Sequence, residues 1–211
     1  MDDLRNFMIS VLTPDSEYDE TVLDSLSEEE ILNFYRIYQR NMENMAEIYG
    51  KTPVQKVFLE KMYDGISLPL QYEAYGAWDT ILLYVETYSI LLAIVVGFLC
   101  AGIFADDFQT KADAVFFATK YGRTKAIKIK ILAGMVITTV LYVSGMGVLS
   151  VICFGVMGVS GGNTPYQIAQ AYSIYHMTYS QYYLLAVACG YIACLQLHFV
   201  CWWRQKCIPL V

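Results

Sequence analysis

Three long apolar stretches dominate the second half of the chain, whereas charged residues are frequent in the first half. The stretches cover residues 81–105, about 129–159 and 182–203, and each holds at most one charged residue. A helix needs roughly 20 mostly apolar residues to cross the hydrocarbon core of a bilayer, so each stretch is long enough. The pattern predicts an all-α fold with three membrane-spanning helices after a small helical segment.

Helical spacing also appears in the polar first half. Apolar side chains recur at positions 31, 34, 35, 38, 42, 45, 48 and 49, which places them on one stripe of a helix. Ser27 and Glu30 have the spacing of a capping box ahead of this stripe, and Gly50 fits a C-cap. We interpret the stripe of Met and Tyr side chains as a helix–helix core. The alternative is a wall that contacts an amphiphilic substrate.

Two further helices are predicted in the same region. Thr52 and Pro53 begin a helix that runs to about Tyr63, with proline in its first turn. A weaker pattern predicts another helix over residues 3–12. We therefore expect an acidic helical segment at residues 1–79, followed by a membrane domain at residues 80–211.

Charge separates the same two parts. Residues 1–79 carry 6 Lys/Arg and 16 Asp/Glu, a net charge of −10, whereas residues 80–211 carry 8 and 4, a net charge of +4. This composition excludes a single soluble domain and a disordered chain. It also lacks the basic surface that nucleic acid requires, so we expect no nucleic-acid partner.

Lysine and arginine predict the orientation in the membrane. The 106–128 connection carries five of them, the 160–181 connection carries none, and two follow the last stretch. Positive residues favour the cytoplasmic side. Residues 106–128 are therefore expected in the cytoplasm of a multi-pass plasma-membrane protein, and residues 1–79 and 160–181 outside. No signal peptide precedes the acidic segment, so we expect a missing span before it.

Small residues mark two faces that could pack closely in the membrane. One is an i, i+4 stripe on the first span, and the other is a GxxxG pair at the outer end of the second span. The residues are Ala93, Gly97, Ala101, Gly158 and Gly162. We interpret them as positions where helices of one chain pack together. The alternative is that they form an interface between two copies of the chain.

Few residues offer chemistry of their own. Glu86 lies inside the first span, where either interfacial solvation or contact with a substrate or partner would explain it. His176 and His198 are far apart, and none of the six cysteines forms a CxxC pair. The sequence therefore predicts no catalytic residue, no metal site and no cofactor.

An ordered set of residues connects the first two spans. In chain order it reads Phe104, Asp106, Asp107, Thr119, Lys120, Tyr121, Gly122, Arg123, Lys130, Ile131, Leu132 and Ala133. In this set the chain resembles the permease subunits of ABC-2 type exporters, particularly those of Gram-positive bacteria. The resemblance covers about residues 70–195. The chain differs in having aspartate where glutamate is commoner, and Ile129 where alanine is usual.

The resemblance implies the membrane subunit of an exporter whose ATP hydrolysis takes place on a separate ABC ATPase subunit. A second permease copy or homologue would complete the assembly, and the substrate would be an antimicrobial peptide or another amphiphile. A cytoplasmic helix within 106–125 would dock on the ATPase. The coupling residues would be Asp106, Asp107, Phe108, Val115, Phe116, Lys120 and Arg123. The chain contains no Gly-x-x-x-x-Gly-Lys-Ser/Thr sequence to hold ATP phosphates itself.

Two other classes of function remain. One is a three-span sensor or interaction protein with an acidic outer domain and no transport. The other is a membrane enzyme, which the absence of clustered His, Cys, Ser or carboxylate residues in the spans disfavours. Family permeases usually have about six spans, and residues after Leu195 depart from their small apolar pattern. We therefore expect an early stop or a frameshift near that residue.

Overall fold

The computed structural model describes residues 2–12, 27, 29, 33–109 and 127–207. In this part of the chain every named element is helical, which confirms the predicted all-α fold. The α-helices are α1 (Asp2–Leu12), α2 (Phe34–Tyr49), α3 (Pro53–Asp64), α4 (Gly76–Gln109), α5 (Ile127–Met157) and α6 (Tyr179–Cys207).

The chain divides into two compact units. The first unit contains residues 1–75 and 160–182, and the second contains residues 76–159 and 183–211. The loop between the second and third apolar helices therefore belongs to the same unit as the acidic N-terminal helices.

The first unit is built around α2. Tyr38, Met42 and Ala46 are buried on one side of this helix and pack with Phe7 and Val11 of α1. Phe7 meets the Tyr38 ring edge-on, with 5.4 Å between ring centroids. The core interpretation is therefore confirmed at the stripe positions Tyr38 and Met42, whereas the last two stripe residues, Ile48 and Tyr49, are exposed.

The segment at 160–182 completes the core of the first unit. Ala171 is buried in it, and the Tyr38 hydroxyl donates a hydrogen bond to the Ala171 carbonyl. The Tyr172 hydroxyl donates to the Ser10 carbonyl at 3.0 Å, and the Tyr63 hydroxyl donates to the Tyr172 carbonyl at 3.3 Å. These bonds join the segment to three helices of the unit.

Local signals explain where α3 begins. The Thr52 hydroxyl accepts from the Gln55 backbone N–H at 3.3 Å, and the Gln55 side chain accepts from the Thr52 N–H at 3.2 Å. This reciprocal capping box satisfies two backbone donors. Its helix matches the predicted one within a residue. The other predicted capping box lies partly outside the described residues, and α2 begins at Phe34 after Asn33, which makes no side-chain cap.

Three helices are long and apolar enough to cross a membrane: α4 over Gly76–Leu99, α5 over Lys128–Met157 and α6 over Tyr179–Leu197. At 1.5 Å per residue, these stretches of 24, 30 and 19 residues measure about 36, 45 and 28 Å. Many of their large apolar side chains are exposed, among them Leu83, Phe98 and Val140. A surface of this kind suits lipid rather than water.

Candidate functional site

Hydroxyl groups collect where the three long helices meet inside the second unit. Six side chains form this group, which we call the hydroxyl seam: Ser89, Thr139, Tyr142, Ser150, Tyr183 and Tyr191. The core around the seam is apolar and includes Ile81, Val85 and Met146. The polar groups thus face inward, whereas many large apolar side chains face outward.

The centre of the seam is the buried side chain of Tyr142. Its hydroxyl donates to the Val187 carbonyl at 2.8 Å and lies 3.2 Å from the Ser89 Oγ. A tyrosine hydroxyl has one hydrogen, and a carbonyl only accepts. Ser89 must therefore donate to the Tyr142 oxygen. One tyrosine on α5 thereby links α4 and α6.

The two ends of the seam repeat one arrangement. Thr139 donates to the Met135 carbonyl one turn earlier at 2.8 Å, and Ser150 donates to the Met146 carbonyl at 2.7 Å. With their hydrogens occupied, both hydroxyls accept from tyrosines of α6. Tyr191 donates to Thr139 at 2.8 Å, and Tyr183 donates to Ser150 at 2.6 Å.

A tryptophan lies near one end of the helical unit. The Trp78 Nε1–H donates to the Val159 carbonyl at 3.1 Å, just after α5 ends. Its ring packs against Phe154 at 4.6 Å and Tyr183 at 5.9 Å between centroids. A carbonyl beyond a helix end has no partner in that helix, so this contact satisfies a group that would otherwise need water.

Glycine allows the helices of the seam to approach. A Cβ added at Gly190 would overlap the Tyr142 hydroxyl and lie 2.6 Å from the Ser89 Oγ. A Cβ at Gly145 would lie 2.9 Å from the Leu92 side chain. These two glycines are the close-packing positions that the structure identifies on α6 and α5.

The predicted small residues have different surroundings. Ala93 packs beside the core of the second unit, whereas a Cβ at Gly97 would meet nothing within 4 Å. Ala101 lies one turn further along α4. Gly158 follows the last residue of α5 with a φ of +85°, and Gly162 lies in a turn. The last two therefore do not form a GxxxG face on a helix; Gly158 instead adopts the left-handed conformation that ends α5.

The predicted coupling residues fall at the edge of the described chain. Asp106, Asp107 and Phe108 belong to the last turns of α4. Val115, Phe116, Lys120 and Arg123 lie outside the described residues. The structure therefore extends the first long helix through the acidic pair, four residues beyond the predicted span.

Glu86 and His176 are separate from the seam. Glu86 is exposed on α4, so within this chain it makes no part of the buried polar group. His176 lies in the first unit, where its Nε2 contacts the Met62 carbonyl. No cluster of three or more His, Cys, Asp or Glu side chains suited to a metal occurs within the described ranges.

Burial alters two tyrosines of the first unit. Burial raises the pKa of the Tyr38 hydroxyl far above its ordinary value, and the neighbouring Tyr172 adds to the effect. Burial also raises the pKa of Tyr63. Both hydroxyls therefore remain protonated donors at neutral pH.

No sequence prediction brought the six seam residues together. Their signal is nevertheless present, because Thr139, Tyr142 and Ser150 recur at near-helical spacing within one apolar stretch and Tyr183 and Tyr191 lie two turns apart in another. Hydroxyls at such positions join membrane helices. No family model, curated protein or solved structure matches this chain.

Proposed function

We propose that the chain is a membrane subunit of an ATP-driven exporter of the ABC-2 kind, with ATP hydrolysis on a separate subunit. The observation that carries the proposal is the ordered residue set over 104–133 between two apolar helices. An antimicrobial peptide or another amphiphile is the proposed substrate class. The seam supplies a joint between the helices.

The extent of α4 and α5 supports a coupling role for the connection between them. Asp106 and Asp107 are part of the same continuous helix as the apolar residues from Gly76 onward. α4 ends at Gln109 and α5 begins at Ile127, so residues 110–126 connect the two helices. A helix moves as a stiff rod, and a force applied to this connection would reach the seam through both helices.

Apolar contact would supply much of the binding to the ATPase. Exposed ion pairs contribute about 0–1 kcal/mol each, so the charges near residues 106–123 would mainly set orientation. Phe108, Val115 and Phe116 would supply the buried area if they face the partner. In the proposed cycle, ATP binding brings two ATPase subunits together. The segment between α4 and α5 moves with the ATPase, and α4 and α5 then change how they pack.

The first unit supports the proposed orientation. Tyr38 on the N-terminal side and Ala171 from the connection after α5 share one core, so both segments lie on the same side of any bilayer. Positive residues in 106–128 favour the opposite, cytoplasmic side. We therefore propose that the chain lies in the plasma membrane and that residues 1–79 lie outside the cytoplasm.

Charge reversal tests the coupling role. The double variant Asp107→Lys/Arg123→Glu is expected to lose co-purification with the partner ATPase, while its amount in the membrane is unchanged. The matched control reverses two exposed residues of α2, Arg40→Glu and Glu47→Lys, and should keep the ATPase. Equal recovery of the ATPase with both variants would exclude a role for the charges of Asp107 and Arg123 in docking.

A sensor or interaction protein without transport is the second candidate. It is favoured by the first unit, which has a core of its own around Tyr38. The two candidates differ in what the purified chain does to an ATPase in lipid. Stimulated ATP hydrolysis and substrate flux support the exporter, whereas ligand binding without either supports the sensor.

A further inference from the structure

One face of α3 is apolar and exposed. Val54, Val57 and Phe58 are 80%, 64% and 54% exposed. At 100° per residue these three side chains and Lys61 share one side, opposite the buried Tyr63. Tyr63 attaches the helix to the core of the first unit. We call the exposed side the α3 outer face. It points away from the core of the first unit because Tyr63, on the opposite side of the helix, is buried there.

The lysines of residues 1–79 lie in α3 or just before its N-cap, and Lys61 is on the outer face whereas Lys56 is on the side of Tyr63. Residues 1–79 contain three lysines, and all of them lie at positions 51, 56 and 61. Residues 51–64 carry these three and two acids, a net charge of +1, whereas the rest of 1–79 carries 3 arginines and 14 acids, a net charge of −11. A negatively charged surface would attract this part of the unit and repel the remainder.

The chemistry of the α3 outer face matches a lipid surface. Helices that lie on bilayers place aliphatic and aromatic side chains among the lipid tails and lysines at the headgroups. Lys61, between Val57 and Phe58 on the helix, can extend its ammonium group to phosphate while its stem stays on the apolar side. Juxtamembrane lysines add attraction to anionic lipid.

Chain connectivity places such a surface within reach. Residues 65–75 join α3 to α4, the first of the three helices that are long and apolar enough to cross a membrane. Eleven residues span at most about 40 Å. A bilayer crossed by α4 is therefore held near α3 at a high effective concentration.

We infer that the α3 outer face binds the surface of the bilayer that α4 crosses, and that Lys51 and Lys61 make this binding stronger on anionic lipid. The contact would anchor the first unit at the membrane. It is independent of any ATPase and would hold for an exporter and a sensor alike.

Thiol modification can measure the contact in the full-length chain. The protein is placed in nanodiscs, one copy per disc, of phosphatidylcholine alone or with phosphatidylglycerol. A single cysteine at position 58 (Phe58→Cys) is compared with one at position 60 (Glu60→Cys), which is exposed on the same helix but off the face. The reagent is a charged, membrane-impermeant maleimide, and the unsubstituted protein gives the background from its native cysteines.

The cysteine at position 58 should react at least about tenfold more slowly than the one at position 60 in anionic discs, and the difference should be smaller in neutral discs. Adding Lys51→Glu/Lys61→Glu should restore its reaction. Equal rates at the two positions in both lipids would overturn the inference and leave the face for a soluble partner. Protection seen only with two copies per disc would overturn it in favour of self-association. If the slow reaction at position 58 is the same in both lipids and is unchanged by the lysine substitutions, the role of anionic lipid would be overturned.

Discussion

The Oγ of Ser89 donates a hydrogen bond of 3.2 Å to the Tyr142 hydroxyl, which itself donates to a carbonyl of α6 at 2.8 Å. Two hydrogen bonds thus join three helices through one oxygen. In an apolar surrounding, chains of hydrogen bonds reinforce one another, and a broken chain leaves an unpaired polar group. Loss of the Tyr142 hydroxyl oxygen would therefore remove both bonds at once.

Removal of that atom should weaken the bundle. Tyr142→Phe deletes the hydroxyl, preserves the ring, and leaves Ser89 and the Val187 carbonyl without this partner. We expect a loss of about 1–2 kcal/mol in the free energy of unfolding, the upper range for polar contacts between membrane helices. Unfolding in mixed micelles of increasing dodecyl sulfate fraction measures it. Tyr84→Phe, on the exposed side of α4, is the matched control and should change stability little.

The Ser89 contribution can be isolated by a double-mutant cycle. Ser89→Ala alone should cost less than Tyr142→Phe, because the bond to the Val187 carbonyl survives. The double variant should then cost less than the sum of the single variants. Fully additive costs would show that the two hydroxyls do not interact.

Gly190 should tolerate no side chain. Gly190→Ala places a methyl group on the hydroxyls of Tyr142 and Ser89, and separating the helices to relieve the overlap should cost about 1–3 kcal/mol. The same unfolding measurement checks it. Gly147→Ala and Gly155→Ala on α5 are controls with open space around the new methyl group, and the higher helix propensity of alanine should leave them neutral or slightly more stable. A neutral result for Gly190→Ala would contradict the close approach.

The apolar helices were predictable because a bilayer imposes a minimum length that composition reveals directly. Their ends were not, since the helical hydrogen bonds of α4 begin at Gly76, before hydropathy rises, and continue through Asp107. The seam was missed for a geometric reason. Tyr142 is counted with the hydrophobic residues in the composition, and which neighbour its hydroxyl meets depends on how each helix is rotated.

Long-range pairing set another limit. Local signals such as the Thr52 capping box predicted α3 accurately, because every partner lies within three residues. The bond from Tyr38 to Ala171 joins residues 133 positions apart, with two apolar helices between them. No local sequence pattern predicts such a pair. That residues 160–182 belong to the first unit was therefore seen only in the structure. The coupling residues from Val115 to Arg123 lie outside the described residues and stay a prediction.

Alkaline pH should destabilise the first unit through Tyr38. Its folded-state pKa is raised by burial above the ordinary 10.0, so the unfolded state loses its proton first as the pH rises. The stability contribution is therefore complete below pH 10.0 and is lost progressively above it. Thermal unfolding of the full chain in lipid, followed by circular dichroism between pH 8 and 11, should show a falling midpoint.

Substitution identifies the group responsible. Tyr38→Phe removes the titration and the bond to the Ala171 carbonyl, so its midpoint should be lower at pH 8 and fall less steeply above pH 10. Tyr175→Phe, at an exposed position of the same unit, should retain the wild-type slope. Equal slopes for both variants would assign the alkaline loss to other groups, Tyr63 first among them.

Gly97 distinguishes packing within the chain from packing between two copies. A side chain added there meets nothing within 4 Å, so Gly97→Leu should leave the unfolding free energy within about 0.5 kcal/mol of the wild type. If Ala93, Gly97 and Ala101 face a second copy, the same leucine would hold the two helices apart and lower the dimer fraction in lipid several-fold. Single-molecule photobleaching of labelled protein in liposomes counts the copies.

Gly147→Leu adds an equal side chain in equally open space on α5 and should leave the dimer fraction unchanged. Loss of dimer in the Gly97 variant alone places the interface between two copies on this side of α4. An unchanged dimer fraction in both variants shows that two copies associate through a different surface.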